Sequence, residues 1–222
     1  MRFLPSVPSL IYSISDDDIY FNQYISNESK ISFGKDTFFI NLQSEFPWNG
    51  EVNIDINPDF SIEKTLNFRV PSWDRNEVMS GHLYEYVKVD DIKPEIYING
   101  NLENVEIENG YFKLTRKWKK EDKIKLVFPM DVKLVRADDR VIDDKGKVAL
   151  ERGPIVYAIE EIDNRNNFDS IFINQDEKFS IKNDKVLEED IISINGHDFK
   201  AIPYFAWSNR GVGKMKVWLP FK

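Results

Sequence analysis

A period of two runs through this sequence almost from end to end, and it constrains the fold more than any other feature. Val52–Ile56 reads VNIDI and Leu66–Val70 reads LNFRV, each alternating apolar with polar residues. EIYIN, VEIE, FKLT and IKLVF follow, then VALERGPIVYAI, SIFI, FSIK, IISI and MKVWL. Successive side chains of a strand point to opposite faces, so such runs bury one face and wet the other. No long window holds a helical period. Only FLPSVPSLIYSI (Phe3–Ile14) and DKVLEEDII (Asp184–Ile192) read as short helices. Asn-Gly pairs stand at Asn49-Gly50, Asn99-Gly100, Asn109-Gly110 and Asn195-Gly196. Both residues tolerate the positive φ of a tight type I′ turn, so each pair is a hairpin candidate. The expected fold class is all-β: two packed antiparallel β-sandwich domains with very little helix.

With 222 residues the chain has the length of one to two domains. A boundary falls at Pro129-Met130, where one set of strands ends and VKLVRADDRV opens another. This places a first sandwich at 18–130 and a second at 131–222. Pro71–Pro94 reads as a long excursion from the first set.

The bulk numbers exclude several function classes. A net charge of −8 opposes a nucleic-acid partner, which wants clustered positive charge. The basic run Thr115–Lys123 is followed directly by acids and reads as a solvated strand end and turn. There is no cysteine, so this chain can form no disulfide, no Cys-ligated zinc site and no Cys nucleophile. No stretch approaches the ~18 apolar residues that span a bilayer, so no membrane partner is expected. Two prolines interrupt the first twelve residues, and no secretory leader is expected. His82 and His197 stand in no metal-binding spacing. Acids cluster at Asp16-Asp17-Asp18, Asp138-Asp139, Asp143-Asp144 and Glu188-Glu189-Asp190. A glycosidase needs two carboxylates facing one sugar bond, which adjacent acids on a strand do not supply by spacing. These runs therefore read as turns. No nucleophile elbow, P-loop or dinucleotide fingerprint occurs.

One stretch does not fit a plain surface loop: Ala201–Gly211, AIPYFAWSNRG. It is too aromatic for solvent, and Pro203 argues against a central strand. Three readings stand open for it: core, a platform that stacks on sugar rings, or a face that docks on another domain. Tyr204, Trp207, Asn209 and Arg210 are the candidate contact residues.

Taken in series, IYSISDDDIYFNQYI, FPWNGEVNIDI, LNFRVPSW, YINGN, GYFKLTRKWKKEDKIKLVFPM, VRADDRV, GKVALERGPIVYAIE and IPYFAWSNRGVGKMKVWLP identify a resemblance. The chain resembles the C-terminal region of the β-L-arabinofuranosidase-like glycoside hydrolases of family 127, with family 146 close by. The resemblance implies an N-terminal (α/α)6 barrel that holds the active site, followed by two β-sandwiches. It also implies a zinc-bound cysteine nucleophile and an acid/base residue, both in the barrel. The family's Cys-Cys motif lies upstream of the segment that RFLPSVPSLIY resembles, so no catalytic or metal residue is carried onto this chain. Residues 1–17 are then expected to be a linker from a helical barrel missing here. The chain alone is expected to be inactive and without a cofactor, zinc belonging to the parent enzyme. Its partner would be that barrel, in a soluble protein of the bacterial cytoplasm or periplasm. The alternative is a free-standing carbohydrate-binding module whose partner is a glycan. A third reading is a compact β-sandwich enzyme that uses two Asp/Glu residues.

Overall fold

The computed structural model describes residues 3–15, 18–33, 35–89, 92–165 and 167–222. The chain divides into two compact units, Met1–Arg75 with Ile92–Pro129, and Asn76–Asp91 with Met130–Lys222.

Among the described residues the first unit holds two sheets. One orders its strands Tyr12–Ser15, Asp18–Phe21, Ile62–Arg69, Tyr111–Trp118 and Ile107–Glu108. The other runs Asn27–Phe33, Asp36–Ser44, Glu51–Pro58, Asp122–Val127, Glu95–Ile98 and Asn101–Glu103. All these pairings are antiparallel except one: Asp18–Phe21 runs parallel to Ile62–Arg69, with Ile19 opposite Leu66. The alternation in VNIDI translates directly. Val52, Ile54 and Ile56 are buried, while Asn53 faces solvent. These side chains meet Ile19, Phe21, Leu66 and Phe68 from the other sheet in one apolar cluster. Phe21 and Phe68 place their ring centroids 4.6 Å apart. Trp118, inside the basic run Thr115–Lys123, is fully buried, and its indole N–H donates to the Lys64 carbonyl at 3.0 Å.

The second unit forms one nine-stranded antiparallel sheet among the described residues. Its main path runs Ser180–Val186, Glu189–Asn195, Lys200–Pro203, Ile155–Glu160, Lys147–Arg152, Val132–Ala137 and Tyr84–Tyr86. The hairpin of Lys147–Arg152 and Ile155–Glu160 is paired only near its turn, where Leu150 lies opposite Tyr157. Beyond that point it opens as a fork. The C-terminal stretch fills it, Lys216 pairing with Ile159 and Leu219 with Val148. Val148, Leu150, Tyr157, Ile159, Ile194, Ala201, Ile202 and Leu219 are buried here.

Three local expectations change. The excursion Pro71–Pro94 contributes its strand Tyr84–Tyr86 to the second unit, where Tyr86 pairs with Val135. Its spacing carried no sign of a partner some fifty residues downstream. Asp184–Ile192 is a hairpin, not a helix: Asp184 lies opposite Ile191, and Leu187 makes the turn at φ 55°. Phe3–Ile14 does hold a short helix, the 3-10 helix Leu4–Leu10, but its last residues leave it for the strand Tyr12–Ser15. Of the Asn-Gly pairs, Asn99-Gly100 and Asn109-Gly110 adopt the double positive φ of a tight hairpin. Asn195-Gly196 serves a different need: a Cβ on Gly196 would lie 2.2 Å from the Phe199 ring. No helix among the described residues is long and apolar enough to cross a membrane.

Replacing Phe68 by Ala removes a ring from the centre of the first unit's core. It is expected to cost about 3–5 kcal/mol, read as a lowered urea midpoint.

Candidate functional site

The Lys200–Pro203 strand ends with Ala201 and Ile202 fully buried and Pro203 paired to Tyr157. Proline there sets the next turn, a single 3-10 step over Tyr204–Ala206. Ala206 turns inward and is buried, while Tyr204 and Phe205 face out, 46% and 61% exposed. Trp207 is half-buried, its ring 6.4 Å from that of Tyr204 and tilted by 38°. Asn209 acts locally: its amide donates to the Ala206 carbonyl at 3.2 Å. The chain then reaches Arg210 and swings through Gly211, at φ 113°, toward the strand that fills the fork.

Arg210 ties this loop down. Its Nη1 donates to Asp163 Oδ1 at 3.0 Å, and its Nη2 donates to both Asp163 Oδ2 and Glu160 Oε2. Glu160 Oε1 accepts the Ser208 backbone N–H at 2.8 Å. Side-chain exposures of 7% for Glu160, 13% for Asp163 and 18% for Arg210 put the group largely out of water. Hydrogen bonding to Asp163 first, then to Glu160, raises the guanidinium pKa above its ordinary value despite the opposing effect of burial. Asn164, also buried, donates to the carbonyls of Glu160 and Lys200 and accepts the Lys200 N–H at 2.9 Å. Lys200 Nζ reaches Asp163 at 3.5 Å and Asp184 at 2.6 Å.

Beside this clamp lies a cavity of about 400 Å³. Glu160, Glu161, Ile162, Arg165 and Arg210 line it with the Gly211–Lys214 segment. Glu160 and Asp163 do converge, as a two-carboxylate enzyme requires. Yet one nitrogen of Arg210 bridges them and fills the position a glycosidic bond would take. Among the described residues, no group of three or more His, Cys, Asp or Glu converges to hold a metal ion. The described residues therefore do not fit a zinc site.

The other sequence candidates are dispersed. His197 is a surface residue whose backbone N–H donates to Glu177 at 2.6 Å, and His82 is exposed. Asp16 and Asp17 lie outside the described residues, while Asp18 accepts a hydrogen bond from Asn67 at 3.3 Å. Asp138 pairs with Arg140 and Asp139 with Lys145 at the surface. Arg210 stands out in the sequence because it closes an aromatic run, whereas Glu160, Asp163 and Asn164 do not. Their segment, EEIDNRNN after the IVYAI strand, was the available signal. Nothing in it points to a loop some fifty residues away.

A second titratable cluster sits on the same sheet. Burial raises the Glu151 carboxyl pKa, opposed by the hydrogen bond from Tyr86 Oη at 2.7 Å and by Lys133. A raised carboxyl pKa favours the fold while the group is protonated, and that contribution fades as pH climbs through the folded-state value. Glu151→Gln keeps an acceptor for Tyr86 without the charge. The variant's melting temperature relative to the wild type is therefore expected to rise between pH 4 and pH 7. For the clamp, Arg210→Met leaves two carboxylates facing each other and is expected to cost about 3 kcal/mol. A second change, Glu160→Gln, should recover part of that loss, with urea unfolding followed through tryptophan emission.

Comparison with known proteins accounts for nearly the whole chain. The family model for the "Beta-L-arabinofuranosidase, GH127 middle domain" matches residues 18–130. The model for the "Glycoside hydrolase family 127 C-terminal domain" matches residues 132–220. A non-reducing end β-L-arabinofuranosidase of Bifidobacterium longum subsp. longum is 24% identical, over 97% of this chain and 35% of that protein. A solved GH127 β-arabinofuranosidase is 35% identical with a TM-score of 0.90, over 100% of this chain and 37% of that one. A GH127 β-L-arabinofuranosidase from Geobacillus stearothermophilus T6 is 31% identical with a TM-score of 0.85, over 100% of this chain and 36% of that one. The chain thus spans a little over a third of the length of these relatives.

Proposed function

Because the chain belongs to glycoside hydrolase family 127, we propose that it is the non-catalytic β-sandwich region of an enzyme of the β-L-arabinofuranosidase type. Its role is to support an (α/α)6 catalytic barrel, which is its partner. The observation that carries this reading is that the middle and C-terminal domain matches, at 18–130 and 132–220, take up almost all of the chain. In this reading residues 1–17 are a linker from the barrel, with the first sandwich at 18–130 and the second at 131–222. The parent enzyme hydrolyses β-L-arabinofuranosyl linkages and works in the bacterial cytoplasm or periplasm. The bridging of Glu160 and Asp163 by Arg210 fits a region that does no acid–base chemistry of its own. Tyr204 and Phe205, held outward on the clamped loop, form the apolar contact with the barrel. Incubating the chain with a chromogenic β-L-arabinofuranoside, with and without added zinc, tests the assignment. No turnover is expected, and release of chromophore by this chain alone would reject the supporting role.

A further inference from the structure

We propose that the cavity beside the Arg210 clamp binds a neutral, polyhydroxylated ligand: a sugar residue of a glycan. This goes beyond the supporting role and does not depend on it.

The cavity wall is built from groups that suit alternating hydroxyls. A sugar hydroxyl both donates and accepts, whereas a carboxylate only accepts and a guanidinium or ammonium only donates. The cavity sets these side by side: Glu160 and Glu161 as acceptors, and Arg165, Arg210 and Lys214 as donors. The lining mixes both signs, and Asp163 pairs with Arg210 as Asp169 does with Lys214, so neither sign dominates the site enough to select an anion or a cation. Glu160 and Arg210 lie largely buried and fixed in one geometry, so ordering them on binding costs little. Two groups keep bonding capacity for a ligand. Arg165 makes no hydrogen bond or ion pair among the described residues and is exposed. Glu161 accepts the Lys214 N–H through one oxygen, at 3.2 Å, and leaves the other for a hydroxyl.

Shape agrees with chemistry. The volume, about 400 Å³, is that of a small-molecule site. A Cβ on Gly211 would meet nothing within 4 Å, so the loop offers bare backbone and open space there. Ile162 and Val212, both exposed, give the lining an apolar component for the C–H face of a sugar ring.

The test is an amide-shift titration of the whole chain with L-arabinose and D-galactose, and separately with D-galacturonate and inorganic phosphate. The neutral sugars are expected to give saturable shifts at residues 160–165 and 210–214, with a Kd of about 1–10 mM. Arg165→Ala and Glu161→Ala should each weaken binding by about fivefold, the loss of roughly one hydrogen bond, Arg165→Ala without moving the melting temperature. Lys113→Ala, on the first unit, should change nothing. Absence of neutral-sugar shifts up to about 50 mM, well above that expected Kd, overturns the proposal. So does binding of the anions alone, or binding that survives both cavity variants unchanged. Because no turnover is measured, each of these failures leaves the supporting role standing.

Discussion

Successive side chains of a β-strand point to opposite faces, so every apolar face of these sheets must be covered. The first unit solves this by facing its sheets: Val52, Ile54 and Ile56 from one meet Ile19, Phe21 and Phe68 from the other. The second unit solves it with a single sheet whose central hairpin splays. A fork between Lys147–Arg152 and Ile155–Glu160 would expose unpaired N–H and C=O groups in a buried place, at a cost comparable to lost hydrogen bonds. The C-terminal residues Met215–Pro220 satisfy both prongs. The loop from Tyr204 to Lys214 is thereby forced to arrive beside Glu160.

That arrival brings the Arg210 ion pair into being. Removing charges from water is costly, and a buried pair returns that cost only when its geometry is good and its other lone pairs are met. The first condition holds and the second all but holds, Arg210 Nε being buried without a hydrogen-bond partner among the described residues. Arg210 presents a two-pronged face to Asp163, Glu160 takes the Ser208 N–H with its second oxygen, and Asn164 stitches the neighbouring strands. The network contributes specificity more than raw stability: it fixes which way the loop lies. A more apolar clamp could hold the loop as well, but would not line the neighbouring cavity with both donors and acceptors.

The strands and their faces were legible because alternation is a local signal. VNIDI and LNFRV announce their inward residues within five positions, and NG at 99–100 and 109–110 announces its turns within two. What stayed hidden depended on distance. Tyr84–Tyr86 pairs across the unit boundary drawn from strand spacing, and the fork is filled from residues some sixty positions on. Arg210 was visible as a candidate because it closes an odd aromatic run. Its partners were not, since an acid-rich turn after a strand looks the same whether it faces water or a guanidinium. DKVLEEDII misled for a related reason: charges between apolar residues imitate a short helix, while the partner strand that makes it a hairpin lies partly inside the same run.

The aromatic run itself shows how packing and presentation share one segment. Ala201, Ile202 and Ala206 are buried anchors, and the residues between and after them are turned outward by geometry rather than by disorder. Tyr204 and Phe205 are exposed on a turn whose two ends are fixed, one by strand pairing at Pro203 and the other by Arg210. An apolar surface held rigid in this way loses little conformational entropy when something covers it, so more of the free energy of burial is kept for binding. The core, platform and docking readings of AIPYFAWSNRG are therefore not exclusive. The small residues are core, and their burial is what makes the large ones available as a contact surface.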